Sequence, residues 1–275
     1  MRHVSFILPV LGLFACNGDK ASDTGATDTP ADADTDADSD TDVDSDSDSD
    51  TDTVATQPEP DSWVGLIRGS LAEPDIADAQ AYHDGVAAYG EPGAKAAGDV
   101  GHEAFLGTTH LGGIAGTFMA LDEWTDPAGE AALYADPAFA GALGGLFSAP
   151  PDVEQFGHEP GWYQWGTLDA GDAGESHYFV VVRGRLIGPT YAESQTAHDA
   201  VAGYGEAGAS YLGDLGHQVY LGTDDWREFL AIDVWADDTN IDALYSDPAF
   251  QAAFATLFDG EPSVTVYEST DWYGW

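Results

Sequence analysis

The sequence predicts an α+β fold built from two tandem copies of one unit, each running strand, helix, strand, strand, helix, strand. Three observations carry this. Gly98-Asp99-Val100-Gly101-His102, leading into Ala104-Phe105-Leu106-Gly107, recurs 115 residues later as Gly213-Asp214-Leu215-Gly216-His217, leading into Val219-Tyr220-Leu221-Gly222. A self-match that extends on both sides marks a duplicated structural unit. Within each copy, strand-length apolar blocks alternate with stretches of helical period. Before residue 62, in contrast, the composition cannot support a core, so the 275 residues divide into a leader, a spacer and two repeats.

Arg2 and His3 precede an apolar run from Val4 to Ala15 that is too short to span a bilayer and reads as a secretory signal. Residues 17–61 then run through Asp32-Ala33-Asp34-Thr35-Asp36 to Asp48-Ser49-Asp50-Thr51-Asp52 with almost no apolar side chains. Such a segment buries nothing to offset chain entropy and repels itself, so a disordered, extended spacer is expected. Its Asp-x-Asp pattern lacks the glycine and the terminal glutamate of a calcium loop, which leaves loose counter-ion condensation as the simpler reading. Of 50 acidic residues, 16 fall in 17–61, leaving 34 against five cations (Arg68, Lys95, Arg183, Arg185, Arg227), a balance of −29 for the rest. That charge argues against nucleic acid and anionic lipid as partners and favours a saline or calcium-rich setting.

Each repeat opens with a strand apolar on both faces, Trp63 to Leu71 and Tyr178 to Leu186, expected to be central. A helix follows. Thr190 and Glu193 form a capping box, with Asp75 and Asp78 in the equivalent places. The stripe Ile76, Ala79, His83, Val86, matched by Tyr191, Ser194, His198, Val201, faces inward, and Gly90 and Gly205 are expected to end the helix. The second strand enters at His102 or His217. The turn after it is four residues longer in copy one, reducing the offset to 111. In the third strand Phe118, Ala120, Asp122 and Trp124 share a face, as do Phe229, Ala231, Asp233 and Trp235. The second helix holds Ala132-Leu133-Tyr134-x-Asp136-Pro137 and Ala243-Leu244-Tyr245-x-Asp247-Pro248, and Asp-Pro should break or restart it. A last strand around Val153 to Phe156 or Val264 to Tyr267 ends in Trp162-Tyr163-Gln164-Trp165 or Trp272-Tyr273-Gly274-Trp275. This order is the split βαβ, ferredoxin-like arrangement.

The strand ending Trp235-Ala236-Asp237-Asp238, then Ala243-Leu244-Tyr245-x-Asp247-Pro248-x-Phe250-x-x-Ala253-Phe254, then a closing aromatic strand resembles the dimeric α/β-barrel superfamily, within it the antibiotic-biosynthesis-monooxygenase-like (ABM) domains. The resemblance covers roughly 63–165 and 178–275. It implies an intramolecular dimeric α/β barrel in which the two ferredoxin-like halves pair as an internal pseudo-dimer and the chain is a monomer, with Phe118, Trp124, Phe229 and Trp235 lining the interface or a cavity inside it. The YCII-related proteins, which place a histidine in the first helix, are a second relative suggested by His83 and His198. ABM-like oxygenases tend to use asparagine, tryptophan and histidine around substrate or haem. Beyond residue 61 the only asparagine is Asn240, which speaks against an asparagine-dependent chemistry. Leu13-Phe14-Ala15-Cys16 resembles the lipobox of bacterial lipoproteins, which implies cleavage before Cys16, lipidation of that sole cysteine, and anchoring in the cell envelope at the outer membrane or cell surface. The expected layout is therefore a signal peptide over 1–15, an acidic linker over 16–61, repeats over 62–166 and 178–275, and a linker over 167–177.

Polar residues present in both copies are the candidates for chemistry. His83 and His198, each followed by an aspartate, are candidate general bases or else hydrogen-bonded core histidines. His102 and His217 follow a turn made by Asp99 or Asp214; they are candidate ligand contacts or turn caps. Arg68 and Arg183 suggest a paired charge with Asp122 and Asp233, or an anion holder for an enolate. Trp124 and Trp235 are expected to shape the ligand site, and the Trp-Tyr-x-Trp ends to interlock the halves. No closely spaced ligand pair such as His-x-x-x-His occurs, and neither a metal nor a cofactor is called for. The expected function is an envelope-anchored barrel binding a small, partly aromatic ligand. The alternatives are a cofactor-independent monooxygenase-type enzyme and a non-catalytic surface interaction module.

Overall fold

The computed structural model describes residues 57–168 and 177–275. The signal peptide, Cys16, most of the acidic linker and most of the inter-repeat linker lie outside the described residues. Among those described, repeat 1 consists of β1 (Trp63–Ser70), α1 (Ile76–Ala97), β2 (Asp99–Gly107), β3 (Thr117–Trp124), α2 (Pro127–Ala135), α3 (Pro137–Gly144) and β4 (Asp152–His158). Repeat 2 consists of β5 (Tyr178–Arg185), α4 (Tyr191–Leu212), β6 (Asp214–Gly222), β7 (Glu228–Trp235), α5 (Ile241–Tyr245), α6 (Pro248–Phe254) and β8 (Ser263–Ser269). No helix among these residues is long and apolar enough to cross a membrane.

The strands close into one antiparallel barrel in the order β1-β3-β2-β8-β5-β7-β6-β4. Each repeat contributes four neighbouring strands, and the seams between repeats are β2 with β8 (Phe105 opposite Ser269) and β4 with β6 (Phe156 opposite Gly222). Closure removes the open edges that a four-stranded sheet would expose. Residues 57–61, assigned from composition to the spacer, already belong to the fold: Gln57 donates to Glu159 at 2.6 Å and Asp61 meets His158 at 2.7 Å.

Local chemistry sets the helix limits. Asp75 caps α1 by accepting from Ala77 N–H at 2.9 Å, and Thr190 caps α4. The helices do not stop at Gly90 and Gly205. They run to Gly98 and Gly213, which take the left-handed conformation at φ 104° and 113° and close the last turn on carbonyls three and four residues back. Gly90 serves a tertiary contact instead: a Cβ there would stand 2.6 Å from the Phe139 ring. Ile76, expected on the inward stripe, is 44% exposed, while Ala79, His83, Ala87 and Ala94 are buried. Asp-Pro restarts the second helix in both copies, with Asp136 and Asp247 each accepting from two backbone N–H groups at 2.9 Å.

Strand alternation then separates two interiors. The barrel lumen is filled by Val64, Leu66, Met119, Leu121, Val181, Leu230 and Ile232, with Phe105 and Phe179 in contact at 4.4 Å between ring centres. The opposite face meets the helices. Phe118, Ala120 and Ile67 pack there with Ala79 in repeat 1, and Val180, Phe229 and Trp235 with Tyr245 in repeat 2. Phe118 and Phe229 thus face the helices yet still meet the other half, at the rings of Trp272 and Trp162, and Trp124 lines a cavity of about 330 Å³ together with Gln218 and Tyr220 of the other repeat. Both faces of β3 and β7 are apolar, and their aliphatic set meets the lumen, where the aromatic rings come from the other strands: Phe105, Phe156, Phe179, Tyr220 and Tyr267.

Candidate functional site

Beneath the first helix of each repeat lies a chain of hydrogen-bonded polar side chains. In repeat 1, His83 Nδ1 faces Asp84 Oδ1 at 3.1 Å, and His83 Nε2 faces His102 Nε2 at 3.1 Å. His102 Nδ1 faces Asp122 Oδ1 at 2.5 Å, and the Tyr134 hydroxyl donates to Asp122 Oδ2. Repeat 2 repeats every link: Asp199 to His198 at 3.1 Å, His198 Nε2 to His217 Nε2 at 3.2 Å, His217 to Asp233 at 2.5 Å, and Tyr245 to Asp233. The helix supplies the first histidine, the strand entrance the second, the neighbouring strand the aspartate, and the short helix before Asp-Pro the tyrosine. Both ring nitrogens of all four histidines are thus engaged within the protein.

Each chain is closed by the aromatic tail of the other repeat. The tail after β4 crosses to repeat 2, where the Trp165 ring stacks on His217 at 4.7 Å and Trp162 leans on His198 at 5.0 Å. The tail after β8 does the same in repeat 1, with Trp275 on His102 at 4.6 Å and Trp272 on His83 at 5.1 Å. Backbone bonds fix both tails: Trp165 and His217 exchange N–H···O bonds at 3.2 and 2.8 Å, as Trp275 and His102 do at 3.3 and 3.1 Å. Tyr163 N–H donates to Asp199 at 2.7 Å and Tyr273 N–H to Asp84 at 2.8 Å, so the aspartate beside each helix histidine is held from the other half. This is the reciprocal geometry of a two-fold dimer written into one chain.

Burial and charge set the protonation. His83 and His198 are held below the ordinary histidine value, chiefly by desolvation. Burial also pulls on His102, but the Asp122 carboxylate beside it, with Asp99 and Glu103 further off, raises it overall. Asp99 and Asp214 make the turn before each strand by accepting from Gly101 N–H at 3.0 Å and Gly216 N–H at 2.9 Å. Burial, then the nearby Asp122 or Asp233 charge, pushes them up to about 7 and about 8.

The arginines are not part of this site. Arg68 lies on the lumen face with Leu66, and Arg183 with Val181, whereas Asp122 and Asp233 lie on the helix face, so the expected Arg68–Asp122 and Arg183–Asp233 pairs do not form. Instead both arginines converge from opposite sides of the barrel on Glu154: Arg68 meets it at 2.8 Å and Asp152 at 2.5 Å, and Arg183 bonds the other oxygen of Glu154. Their charges are thereby neutralised at one end of the lumen, away from the histidines. Trp124 and Trp235 are fully buried on the helix face, outside the cavities that adjoin the histidine pairs.

A cavity adjoins each histidine pair, between first helix and sheet. In repeat 2 it measures about 60 Å³ and is walled by Val182, Val201, Ala231, Leu244, Phe250 and Trp165 around His198 and His217. Its counterpart in repeat 1 measures about 30 Å³. These volumes suit a few water-sized groups, against the roughly 150 Å³ that accommodates a benzene ring. A haem does not fit: the space is too small, and no histidine Nε2 points into it unpartnered. Among the described residues no group of three or more His, Cys, Asp or Glu side chains is arranged to hold a metal ion. The residues that the sequence reading missed are Tyr134 and Tyr245, and their occurrence at matching positions in both copies was the available signal.

No protein-family profile matches the sequence, and no curated protein matches it. Solved structures do. An anthrone oxidase-like protein superposes with a TM-score of 0.55 at 15% identity, covering 79% of this chain and 94% of that one. A candidate monooxygenase from Fusobacterium nucleatum subsp. nucleatum superposes with a TM-score of 0.53 at 7% identity, covering 76% and 93%. These shares exceed either repeat alone, so the likeness takes in both halves. Closed strand order, two ferredoxin-like units and these superpositions together establish that the chain has the dimeric α/β-barrel fold, with both halves in one polypeptide.

Proposed function

We propose that this chain is an exported, lipid-anchored monomer whose barrel binds a small, partly aromatic ligand, and that repeat 2 is the binding half. The observation that carries the reading is the apolar cavity beside His198 and His217, which at about 60 Å³ takes the polar edge of a ligand rather than a whole ring and is twice the space of its counterpart in repeat 1. An apolar chamber with one convergent polar group is the usual form of a small-molecule site. Here the polar group is the histidine pair, which meets a hydroxyl or carbonyl at the ligand's edge when that group displaces the contact between His198 Nε2 and His217 Nε2. The anthrone oxidase-like neighbour agrees with a flat, partly aromatic ligand class.

Binding of α-naphthol, followed by NMR shifts of α4 and β7, tests this. Ala231→Leu fills the cavity and should abolish binding, while the matching Ala120→Leu in repeat 1 should not; equal binding by both variants would exclude the site. Anchoring is tested by incorporation of labelled palmitate, which should vanish in Cys16→Ser. The fold likeness also favours a second reading, a cofactor-independent oxygenase. It requires a ligand to displace one nitrogen of a fully engaged histidine pair, with His83 or His198 then acting as base. Oxygen uptake with phenolic substrates that survives His83→Ala and His198→Ala excludes it. An absence of any small-molecule binding leaves the surface interaction module.

A further inference from the structure

The repeat 2 cavity is separated from a second, outer space by a single layer of aromatic rings. Tyr245, Phe250 and Phe254 line the inner cavity, and the same three residues line a groove of about 560 Å³ on the outer side, whose far rim includes Leu111. Joined, the two spaces reach the size of an ordinary small-molecule site. Leu111 arrives from the turn that is longer in repeat 1. Its position is fixed by Leu111 N–H donating to Asp242 at 3.1 Å and by His110, which meets Asp242 at 3.1 Å and Asp238 at 3.2 Å. The duplication thus gives repeat 2 an outer vestibule whose rim is supplied by the other half.

The partition differs between the copies in how firmly its ring is seated. In repeat 1, Phe139 is pressed into the notch at Gly90, where a Cβ would come within 2.6 Å of the ring. In repeat 2, Phe250 stands off the equivalent Gly205, where a Cβ would be 4.0 Å away. The ring next to it along the helix also differs: Leu143 in repeat 1 corresponds to Phe254, which stacks on Phe250 at 5.4 Å and 18° between planes. Phe250 sits on α6, a seven-residue helix with no fully buried side chain. Segments with few buried contacts are the ones that open at low cost.

We propose that Phe250 is the gate of this site. Its ring swings away from Gly205, joining groove and inner cavity, and admits a flat, uncharged aromatic alcohol of one or two rings whose hydroxyl reaches the His198–His217 pair. The formal balance of −29 beyond the spacer, where 34 acidic residues face five cations, disfavours an anion, and the apolar walls of the inner cavity disfavour a cation. This inference rests on the binding reading above and adds the route and the ligand class.

Stopped-flow association of α-naphthol with the full chain tests it. Phe250→Ala should speed association and dissociation together by about tenfold, the effect of removing a barrier of one forced ring rotation. Phe250→Leu should act in the same direction and keeps α6 apolar should the alanine variant unfold. Gly205→Ala, which narrows the gap, should slow association, and Phe139→Ala in repeat 1 should leave it unchanged. Rates that do not move among folded variants that still bind overturn the gate and leave the binding reading standing. Failure of every folded variant, Phe250→Ala included, to bind α-naphthol overturns both.

Discussion

The Nε2 atoms of His83 and His102 face each other across 3.1 Å, while both Nδ1 atoms face carboxylates. Each Nδ1 is satisfied by carrying a proton toward its aspartate. Two bare Nε2 lone pairs would repel at that distance, and two protons there would clash, so one proton lies between them. The pair then holds a single positive charge. This agrees with His102 being raised and His83 lowered from the ordinary value. Imidazole nitrogen NMR should show one imidazolium in the His83–His102 pair across about pH 5 to 8. Two rings titrating independently in that range would contradict the shared proton.

Asp122 and Asp233 each accept from a histidine and a tyrosine and are buried. Replacing one carboxylate by an amide leaves a buried imidazolium without its counter-charge. Asp122→Asn and Asp233→Asn should each lose about 3 kcal/mol in urea unfolding. Tyr134→Phe and Tyr245→Phe, which remove only one donor, should lose about 1 kcal/mol. A loss from Asp122→Asn no larger than from Tyr134→Phe would mean that the pair carries no charge.

Duplication, period-two strands and Asp-Pro caps made the repeat order legible, because each is a local property of backbone and pattern. What was illegible is tertiary. Gly90 looks like a helix stop, yet it exists to seat Phe139, and only Gly98 adopts the left-handed cap. Alternation in β3 groups Asp122 with Phe118 and Trp124 correctly, but with both faces apolar it does not say which face meets the lumen. Arg68 and Asp122, on neighbouring strands, take opposite faces of the sheet and do not meet. Tyr134 and Tyr245 were within reach, since they persist in both copies; the crossing of the Trp-Tyr-x-Trp tails onto the opposite histidines was not, because no local pattern encodes it.

Those tails couple the halves. Trp272, at the end of repeat 2, is buried against His83 and Phe118 of repeat 1, and Trp162, at the end of repeat 1, is buried against His198 and Phe229 of repeat 2. Trp272→Ala should cost about 3 kcal/mol and raise hydrogen exchange in α1 and β2. Trp162→Ala should do so in α4 and β6. Exchange that rises only within the mutated tail's own repeat would show that the crossing contributes nothing to coupling.

Glu154 neutralises two arginines at once, and its counterpart in repeat 2, opposite Val181 as Glu154 is opposite Leu66, is Thr265. Glu154→Gln leaves Arg68 and Arg183 facing each other with only Asp152 near. The side chains are 18–29% exposed, which places the expected loss at about 2 kcal/mol, between the values for buried and surface pairs. Adding Arg183→Met should restore most of it. If the double variant is no more stable than Glu154→Gln, repulsion between the arginines is not the cause.

Stability should fall as the solution becomes more alkaline. Asp214 is raised to about 8, and Asp99 and Glu130 to about 7, each first by burial. An unfolded carboxyl titrates near 4, so from there upward the folded state binds protons that the unfolded state has released. The stabilisation from these groups is complete below about pH 4 and is lost as pH climbs through 7 and 8. The raised His102 acts in the same direction, and the lowered His83 and His198 oppose it in acid. Asp214→Asn keeps the acceptor for Gly216 N–H but removes the titration, so its stability relative to the parent protein should rise by on the order of 1 kcal/mol per pH unit between about pH 5 and about pH 8. Thermal melts of both proteins across that range decide the matter: parallel curves would mean that Asp214 ionises as freely in the fold as in the unfolded chain.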